Sequence, residues 1–225
     1  MSAAILGDNY NRPPASILLL EADSIGGVAD GGAIATWPDT SINGNNATQS
    51  AAGSKPLWRA TGGPNSKPAV EFDGSNDSMA LASAIAGASI PAVLAVIKLA
   101  AAGTNRTVIG NLHSVGSYHF RCNTADKMEL LSNGVASVGT ATTALGTSSY
   151  YLVEIAYDGS TFTFTLNGTA DGTGSKSQTF AAATDDIGDT VTAEPFTTRI
   201  AALAICLAVN QVAMRTYLNK KYRIF

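Results

Sequence analysis

The segment from Tyr150 to Gly168 alternates hydrophobic and polar positions on both sides of a short turn. Aromatic and β-branched residues recur at every second position in Tyr151–Tyr157 and again in Thr161–Leu166, a period typical of half-buried strands. Asp158-Gly159 separates the two runs and Asn167-Gly168 closes the segment; both pairs suit the positive backbone angles of tight hairpin turns. The pattern predicts an antiparallel hairpin.

Similar short runs, bounded by residues that favour turns, recur along the chain. They predict strands at Ile17–Glu21, Lys67–Phe72, Ala92–Leu99, Thr107–Asn111, Ser117–Asn123, Lys127–Ser132 and Arg199–Val209. The period then changes to three and four residues at Met214, Tyr217 and Leu218, which predicts a short amphipathic helix with Asn210 as its N-cap.

The predicted fold class is therefore all-β, an antiparallel sandwich with a short C-terminal α-helix. We expect two parts, an extended N-terminal arm over residues 1–15 and a single domain over residues 16–225. The arm is polar and contains Pro13-Pro14, which lack backbone donors. Such an arm suits contact with a neighbouring protein.

Charge narrows the classes of partner. Only 14% of the 225 residues are charged and the net charge is −3, against about 25% charged residues in an average soluble domain. A negative chain without a basic stripe argues against nucleic-acid binding. The low charge also suits surface that packs against other subunits, so we expect a homo-oligomer.

The sequence also bears on membranes and compartment. The uncharged stretch before Lys98 contains Ser83, Gly87 and Pro91, which predicts a loop followed by a strand rather than a membrane span. The first residues lack the basic start and apolar core of a signal peptide, so we expect cytoplasmic synthesis. Cys122 and Cys206 lie in apolar strand patterns and are predicted to be free, buried thiols, with a disulfide as the alternative.

One candidate ligand surface comes from strand alternation. If Tyr118, Phe120 and Cys122 face the core, the intervening side chains face the opposite way, together with those of strands expected to be neighbours. This polar face would contain His119, Arg121, Asn123, Glu129, Glu154, Thr161, Thr163 and Thr165. We name His119, Arg121, Asn123, Glu154 and Thr163 as candidate ligand-binding residues; the alternative is a solvated sheet face without a ligand.

Four segments in order resemble the concanavalin A-like, laminin G-like jelly rolls of bacterial and phage proteins. They are LLLEADSIGGVADGGAIATWPDTSINGNNATQ, KPAVEFDGSNDSMAL, AYDGSTFTFTLNG and TYLNKKYRIF. The resemblance covers nearly the whole chain after the arm. It implies two curved antiparallel sheets, with ligands bound in some relatives on the concave face or at the loop rim. In this setting Trp37 and Trp58 match positions that pack in the family, although each is also a candidate sugar platform.

Some jelly-roll enzymes carry two catalytic carboxylates in a Glu-x-Asp-x-x-Glu strand. Glu71-Phe72-Asp73 begins this pattern, but Asn76 stands where the third acid belongs, so we expect no catalytic residues there. Glu21-Ala22-Asp23 also lacks a third acid and is predicted to cap a turn. Residues three apart on a strand face opposite sides, so His119 and Cys122 do not predict a metal site.

The resemblance also implies one weak calcium candidate, the acidic cluster Asp185, Asp186 and Asp189; the alternative is a solvated loop. No other cofactor is predicted.

The sequence predicts that the protein is a non-enzymatic structural or adhesion module. The resemblance implies a component of a phage virion, such as a capsid decoration, tail or fibre protein, exposed on the particle after cytoplasmic synthesis. Its expected partners are other virion or surface proteins, reached through the arm, and a cell-surface glycan. The alternatives are a free-standing lectin and a glycoside-active enzyme, for which Glu129 and Glu154 are the only carboxylate pair worth testing.

Overall fold

The structure is a computed structural model that describes residues 13–85, 92–110, 118–132, 136–175, 185–188 and 194–225. Within these ranges the chain forms sixteen strands, all paired antiparallel, and one α-helix. Strands β1 to β8 are Leu18–Glu21, Thr36–Trp37, Ala47–Thr48, Leu57–Arg59, Ala69–Asp73, Met79–Leu81, Ala92–Leu99 and Arg106–Gly110. Strands β9 to β16 are Tyr118–Cys122, Lys127–Ser132, Ala136–Ala144, Tyr151–Tyr157, Thr161–Leu166, Thr169–Ser175, Asp186–Ile187 and Thr197–Cys206. The helix, α1, is Gln211–Tyr222.

The strands are hydrogen-bonded in the order β2-β3-β6-β15-β8-β9-β10-β11-β14-β13-β12-β7-β16-β5-β4, and β1 also pairs with β16. Strands far apart in this order contribute to the same apolar core: Trp37 on β2 and Val70 on β5 belong to one cluster with Phe120 on β9 and Ile155 on β12. The strands therefore fold over one another as a sandwich, and the predicted fold class is confirmed.

Strand β7 is apolar on both faces, which explains its uninterrupted hydrophobic run. Val93, Ala95 and Ile97 face the core between the layers. Leu94 and Val96 face the other way and pack in a second cluster under α1. A strand covered on both sides loses the alternation that marks a half-solvated strand.

Helix α1 lies on the outer side of β7, β12 and β16. Its buried side chains, Met214, Leu218 and Tyr222, are spaced four residues apart, so they follow one helix face. The Tyr222 hydroxyl donates to the carbonyl of Ala201 at 3.1 Å. The predicted helix is confirmed, and Asn210 is its N-cap residue, although the Asn210 side chain donates to the Ala15 carbonyl instead of capping the helix.

A second set of contacts ties α1 to β1. Lys221 forms ion pairs with Glu21 at 2.9 Å and with Asp23 at 2.8 Å, and the Tyr217 hydroxyl donates to Glu21 at 3.0 Å. The expectation that Glu21 and Asp23 cap a turn is wrong, because the carboxylate of Glu21 makes no cap hydrogen bond and instead anchors the helix.

The predicted hairpin is formed by β12 and β13, with Ile155 opposite Phe164. The adjacent strand β14, and β11 beyond it, have no strand signal in the sequence because Gly, Ala and Thr replace large apolar residues. Gly139 lies opposite Gly174, and a Cβ added at Gly139 would come within 2.7 Å of the Gly174 Cα atom. Glycine is needed there because the two backbones approach so closely.

Both cysteines are buried and free, which confirms the thiol prediction. Cys206 and Ala202 are fully buried under the helix. No helix in the described part of the chain is long and apolar enough to span a membrane. Residues 1–12 of the predicted arm lie outside the described residues.

Candidate functional site

The sequence-predicted polar face is divided between two places. Its first part is on β9 and β10, where Arg121 forms ion pairs with Glu129 at 2.8 Å and with Glu194. His119 is fully buried beside them, with Nε2 2.7 Å from the Thr107 hydroxyl. Burial, with a smaller contribution from the charge of the nearby Arg121, lowers the pKa of His119 to about 3. His119 is therefore neutral at physiological pH and belongs to a largely closed polar network.

Asn123 is not on that face. Its side-chain oxygen accepts from the backbone N–H groups of Ala125 at 3.0 Å and Lys127 at 3.2 Å, so it stabilises the turn between β9 and β10. Residues at the end of a strand follow turn geometry rather than the period of two, which is why alternation misplaced it.

The second part of the predicted face lies on β12 and β13. Glu154 and Thr165 are cross-strand partners, as are Ala156 and Thr163, so Glu154, Thr163 and Thr165 do share a side of the sheet. The carboxylate of Glu154, however, is fully buried under α1, where it accepts from Arg215 at 2.6 Å and Gln211 at 3.0 Å. Thr163 is half-buried.

The prediction that the strands with Glu129 and Glu154 are neighbours is wrong, although the strand registers place Glu129, Thr163 and Glu154 on the same side of the sheet. Strands β11, β14 and β13 lie between β10 and β12 in the sheet order, so Glu129 and Glu154 are not on neighbouring strands. Each carboxylate is occupied by a different arginine. The structure does not bring together the carboxylate pair that the enzyme alternative required.

The structure describes two residues of the acidic cluster, Asp185 and Asp186. Asp186 belongs to β15, which pairs with β6 and β8, and Asp185 is fully buried. Asp185 accepts from the Tyr118 hydroxyl at 2.9 Å, and burial raises the pKa of Asp185 to about 7. The alternative of a solvated loop is wrong for these two residues, and Asp189 lies outside the described residues.

Among the described residues, no group of three or more His, Cys, Asp or Glu side chains is placed to hold a metal ion. Both tryptophans pack as the sequence predicted. Trp37 is fully buried in the core, and Trp58 packs against the core with its indole N–H donating to the Ala22 carbonyl at 2.8 Å.

An open cleft of about 510 Å³ is lined by side chains on β5, β7 and β16 and by the loop before β12. We call it the Lys98 cleft. Its lining residues are Glu71, Phe72, Asp73, Lys98, Leu99, Ala100, Thr147 and Arg199. Lys98 and Glu71 each lie opposite Arg199 in the strand register, so the three charged side chains form a row across three strands. The volume is within the range of small-molecule sites.

The wall of the cleft is an Arg–Glu–Arg group. Glu71 is bonded to Arg59 at 2.7 Å and to Arg199 at 2.6 Å, and Arg199 also donates to the Gly62 carbonyl at 3.2 Å. Burial raises the pKa of Glu71, but the hydrogen bonds from the two arginines outweigh it and hold that pKa below its ordinary value. Glu71 is therefore a carboxylate at neutral pH and is unsuited to donate a proton.

Sequence reasoning examined Glu71 and Asp73 for catalysis and missed Lys98, Thr147 and Arg199 as site residues. Lys98 ends an apolar run, and the hydrophobic pattern indicates nothing more for it than the limit of that run. One signal was available: Lys98 and Arg199 are the charged positions of otherwise apolar strand segments, and charged residues at such positions need a reason.

No protein-family model matches the chain, and no curated protein matches its sequence. Solved structures do match its fold. Domain 4 of AbnA, a GH43 extracellular arabinanase from Geobacillus stearothermophilus solved in complex with arabinotriose, superposes with a TM-score of 0.63 at 13% identity, covering 91% of this chain and 100% of that domain. Trypanosoma rangeli sialidase superposes with a TM-score of 0.65 at 10% identity, covering 94% of this chain but 34% of the sialidase. At these identities the likeness shows the β-sandwich fold.

Proposed function

We propose that this chain is a carbohydrate-binding β-sandwich module and that its sugar ligand binds in the Lys98 cleft. The observation that carries the proposal is the cleft itself, which is open and is lined by charged and hydroxyl side chains. Strands hold Glu71, Lys98 and Arg199 in register, and polar groups held on rigid elements suit the recognition of sugar hydroxyls.

The shared fold adds support. A domain of the same fold and similar extent is described in complex with arabinotriose. The other polar groups that sequence analysis selected are less suited to a ligand, because His119 and Glu154 are fully buried and hydrogen-bonded within the protein.

We further propose that the module is non-enzymatic. Glycoside hydrolysis needs one carboxyl group as proton donor and a second as base or nucleophile. In the Lys98 cleft, Glu71 is held ionised by two arginines, and Asp73 accepts backbone N–H groups of its own turn, including that of Ser75 at 2.8 Å. The phage-virion setting, with an arm that contacts neighbouring particle proteins, stays a prediction from the sequence resemblance.

A glycan array on the purified chain tests the proposal, with two matched tryptophan variants. Thr147→Trp fills the Lys98 cleft from an exposed loop position. Thr173→Trp instead covers the strand face that carries Thr163, because the two threonines are cross-strand partners. We expect glycan binding by the wild type, at least tenfold weaker binding by Thr147→Trp, and unchanged binding by Thr173→Trp, with all three melting alike.

Loss of binding only in Thr173→Trp would move the site to the face predicted from sequence. A folded wild-type chain that binds no glycan on the array would refute the proposed function. Incubating the same glycans with the protein and analysing the products by mass spectrometry tests the non-enzymatic part, which cleavage would overturn.

A further inference from the structure

We infer that the Lys98 cleft selects acidic sugars, with a ligand carboxylate bound between Lys98 and Arg199. This inference rests on the proposed function and names its substrate class. It begins with the strand register, in which Arg199 on β16 lies directly opposite Lys98 on β7. Cross-strand partners have Cβ atoms about 5 Å apart on the same side of a sheet, and like charges so placed repel each other.

The nearby carboxylates form no ion pair with Lys98. The cleft lining contains two cations, Lys98 and Arg199, and two carboxylates, Glu71 and Asp73, and Arg59 in the wall has Glu71 and Asp30 as its counter-charges. Glu71 is shared by both arginines. Asp73 is directed to the backbone of its own turn, where it accepts from Ser75, Asn76 and Asp77.

Of the two cations in the cleft lining, Lys98 is the one without a bonded counter-charge among the described residues. Its ammonium group has no hydrogen bond or ion pair with any other residue that the structure describes, although the side chain is half-buried. The ammonium group has three N–H donors and faces the open cleft, so a ligand in the cleft can accept from them. An anionic ligand would supply the missing pair.

Helix α1 leaves this part of the sheet uncovered. The last buried helix residue, Tyr222, contacts the Ala201 carbonyl, two positions from Arg199, and Tyr150 packs beside the helix cluster with its hydroxyl bonded to Gly62. Gly62 also accepts from Arg199. Lys98 and Arg199 therefore lie near the end of the helix and line the open cleft, where a ligand can reach them.

A carboxylate is the anion we assign, because it is the acidic group of uronic acids and of nonulosonic acids. A sulfate ester presents similar oxygens and is the main competing source of negative charge. Both bond to ammonium and guanidinium groups by charge-assisted hydrogen bonds, so the experiment must separate them.

The test uses matched oligosaccharides measured by isothermal titration calorimetry. The probes are a galacturonic acid trisaccharide and its methyl ester, a glucuronic acid oligosaccharide and its methyl ester, sialyllactose and lactose, and a sulfated galactan oligosaccharide. We expect the acidic member of at least one carboxylate pair to bind about tenfold tighter than its neutral partner, and this preference to weaken as salt rises.

The variants are Lys98→Met, Lys98→Arg and Lys127→Met. Lys127 is a matched control because it is also a half-buried strand lysine, on β10 and outside the cleft. Lys98→Met is expected to lose the acidic preference, so that the acidic and neutral members of each pair bind it with equal affinity. Lys98→Arg should retain the preference, and Lys127→Met should behave as the wild type.

Three results would overturn the inference. Equal binding of acidic and neutral members would refute acidic selection but leave glycan binding standing. Tighter binding of the sulfated oligosaccharide than of every carboxylate would refute the carboxylate assignment. No binding of any probe, in a chain that melts cooperatively, would refute the acidic inference, and if the glycan array is also negative it would refute the proposed function.

Discussion

The outer side of β7 and β16 contains two regions with charged side chains, one covered by α1 and one open to solvent. Under α1, Leu94 and Val96 on β7 pack against the helix, and the neighbouring Glu154 is paired with Arg215. Two residues further along β7, on the same side, Lys98 faces the open cleft opposite Arg199. The difference between a structural ion pair and a candidate ligand site is whether the protein itself supplies the cover and the counter-charge.

The free-energy cost of a buried carboxylate should therefore depend more on whether a cation pairs with it than on how deeply it is buried. Asp185 tests this directly, because it is as buried as Glu154 but is hydrogen-bonded to a tyrosine hydroxyl instead of to a cation. With the pKa of Asp185 raised to about 7, the folded state keeps a proton that the unfolded chain loses from about pH 4 upwards.

Stability is therefore expected to fall as the pH rises from about 4 to about 7. Each pKa unit is worth about 1.4 kcal/mol, which makes this the largest expected effect, about 4 kcal/mol. Asp185→Asn should remove most of that fall, as measured by urea unfolding across the range. A pH dependence that is the same in Asp185→Asn and wild type would contradict the assignment.

The next effect in size is the loss of the cation under the helix. Arg215→Met leaves the fully buried carboxylate of Glu154 with Gln211 as its partner, so we expect the free energy of unfolding to fall by about 3 kcal/mol. Denaturant titration measures this. The double variant Glu154→Gln/Arg215→Met should recover part of the loss, because the uncompensated charge is gone; a further loss in the double variant would show that packing dominates.

The ion group at the cleft wall is expected to contribute less. Glu71 is partly exposed, so Glu71→Gln should cost about 1 kcal/mol near pH 7. Since the pKa of Glu71 is lowered in the folded state, its contribution is present above the ordinary glutamate pKa and is lost as the pH falls through the folded value. Wild type and variant should therefore converge in stability below the ordinary glutamate pKa, once Glu71 is protonated in the folded state, and a difference that stays constant on acidification would argue against the ion pairs as the cause.

The smallest effect on stability should come from Lys98. Lys98→Met removes a cation without a described protein partner, so we expect a change within about 0.5 kcal/mol in thermal or urea unfolding. A loss as large as that of Arg215→Met would show that Lys98 has a structural role. The comparison between the two regions would then fail, because both would be held by internal pairing.

Much of the fold was predictable because strong local patterns agree with the final structure. The hairpin of β12 and β13, the apolar strand β7, the strand β10 and the helix α1 each have a clear hydrophobic period. Strands β11 and β14 were not predictable, since their residues are small and polar and their pairing depends on neighbours. Gly139 and Gly174 signal a close backbone approach only when the two strands are seen side by side.

Less of the candidate site was predictable. Alternation correctly placed His119, Arg121 and Glu154 on the side away from the core, but it contains no information on which strands are neighbours or what covers them. Glu71 and Asp73 were noticed for a spacing that suggests catalysis, whereas the structure relates Glu71 to Arg199, which is 128 residues away along the chain.

The amino-acid sequence by itself determined the fold class, the turn positions, the helix and the identity of most core residues, because these follow from local conformational preference and from hydrophobic period. Only the tertiary structure decided that Glu154 is closed under α1 and that Lys98 is left beside Arg199 in an open cleft. Electrostatic pairing depends on distances between strands that are remote in sequence, and the pattern of a single strand does not contain those distances.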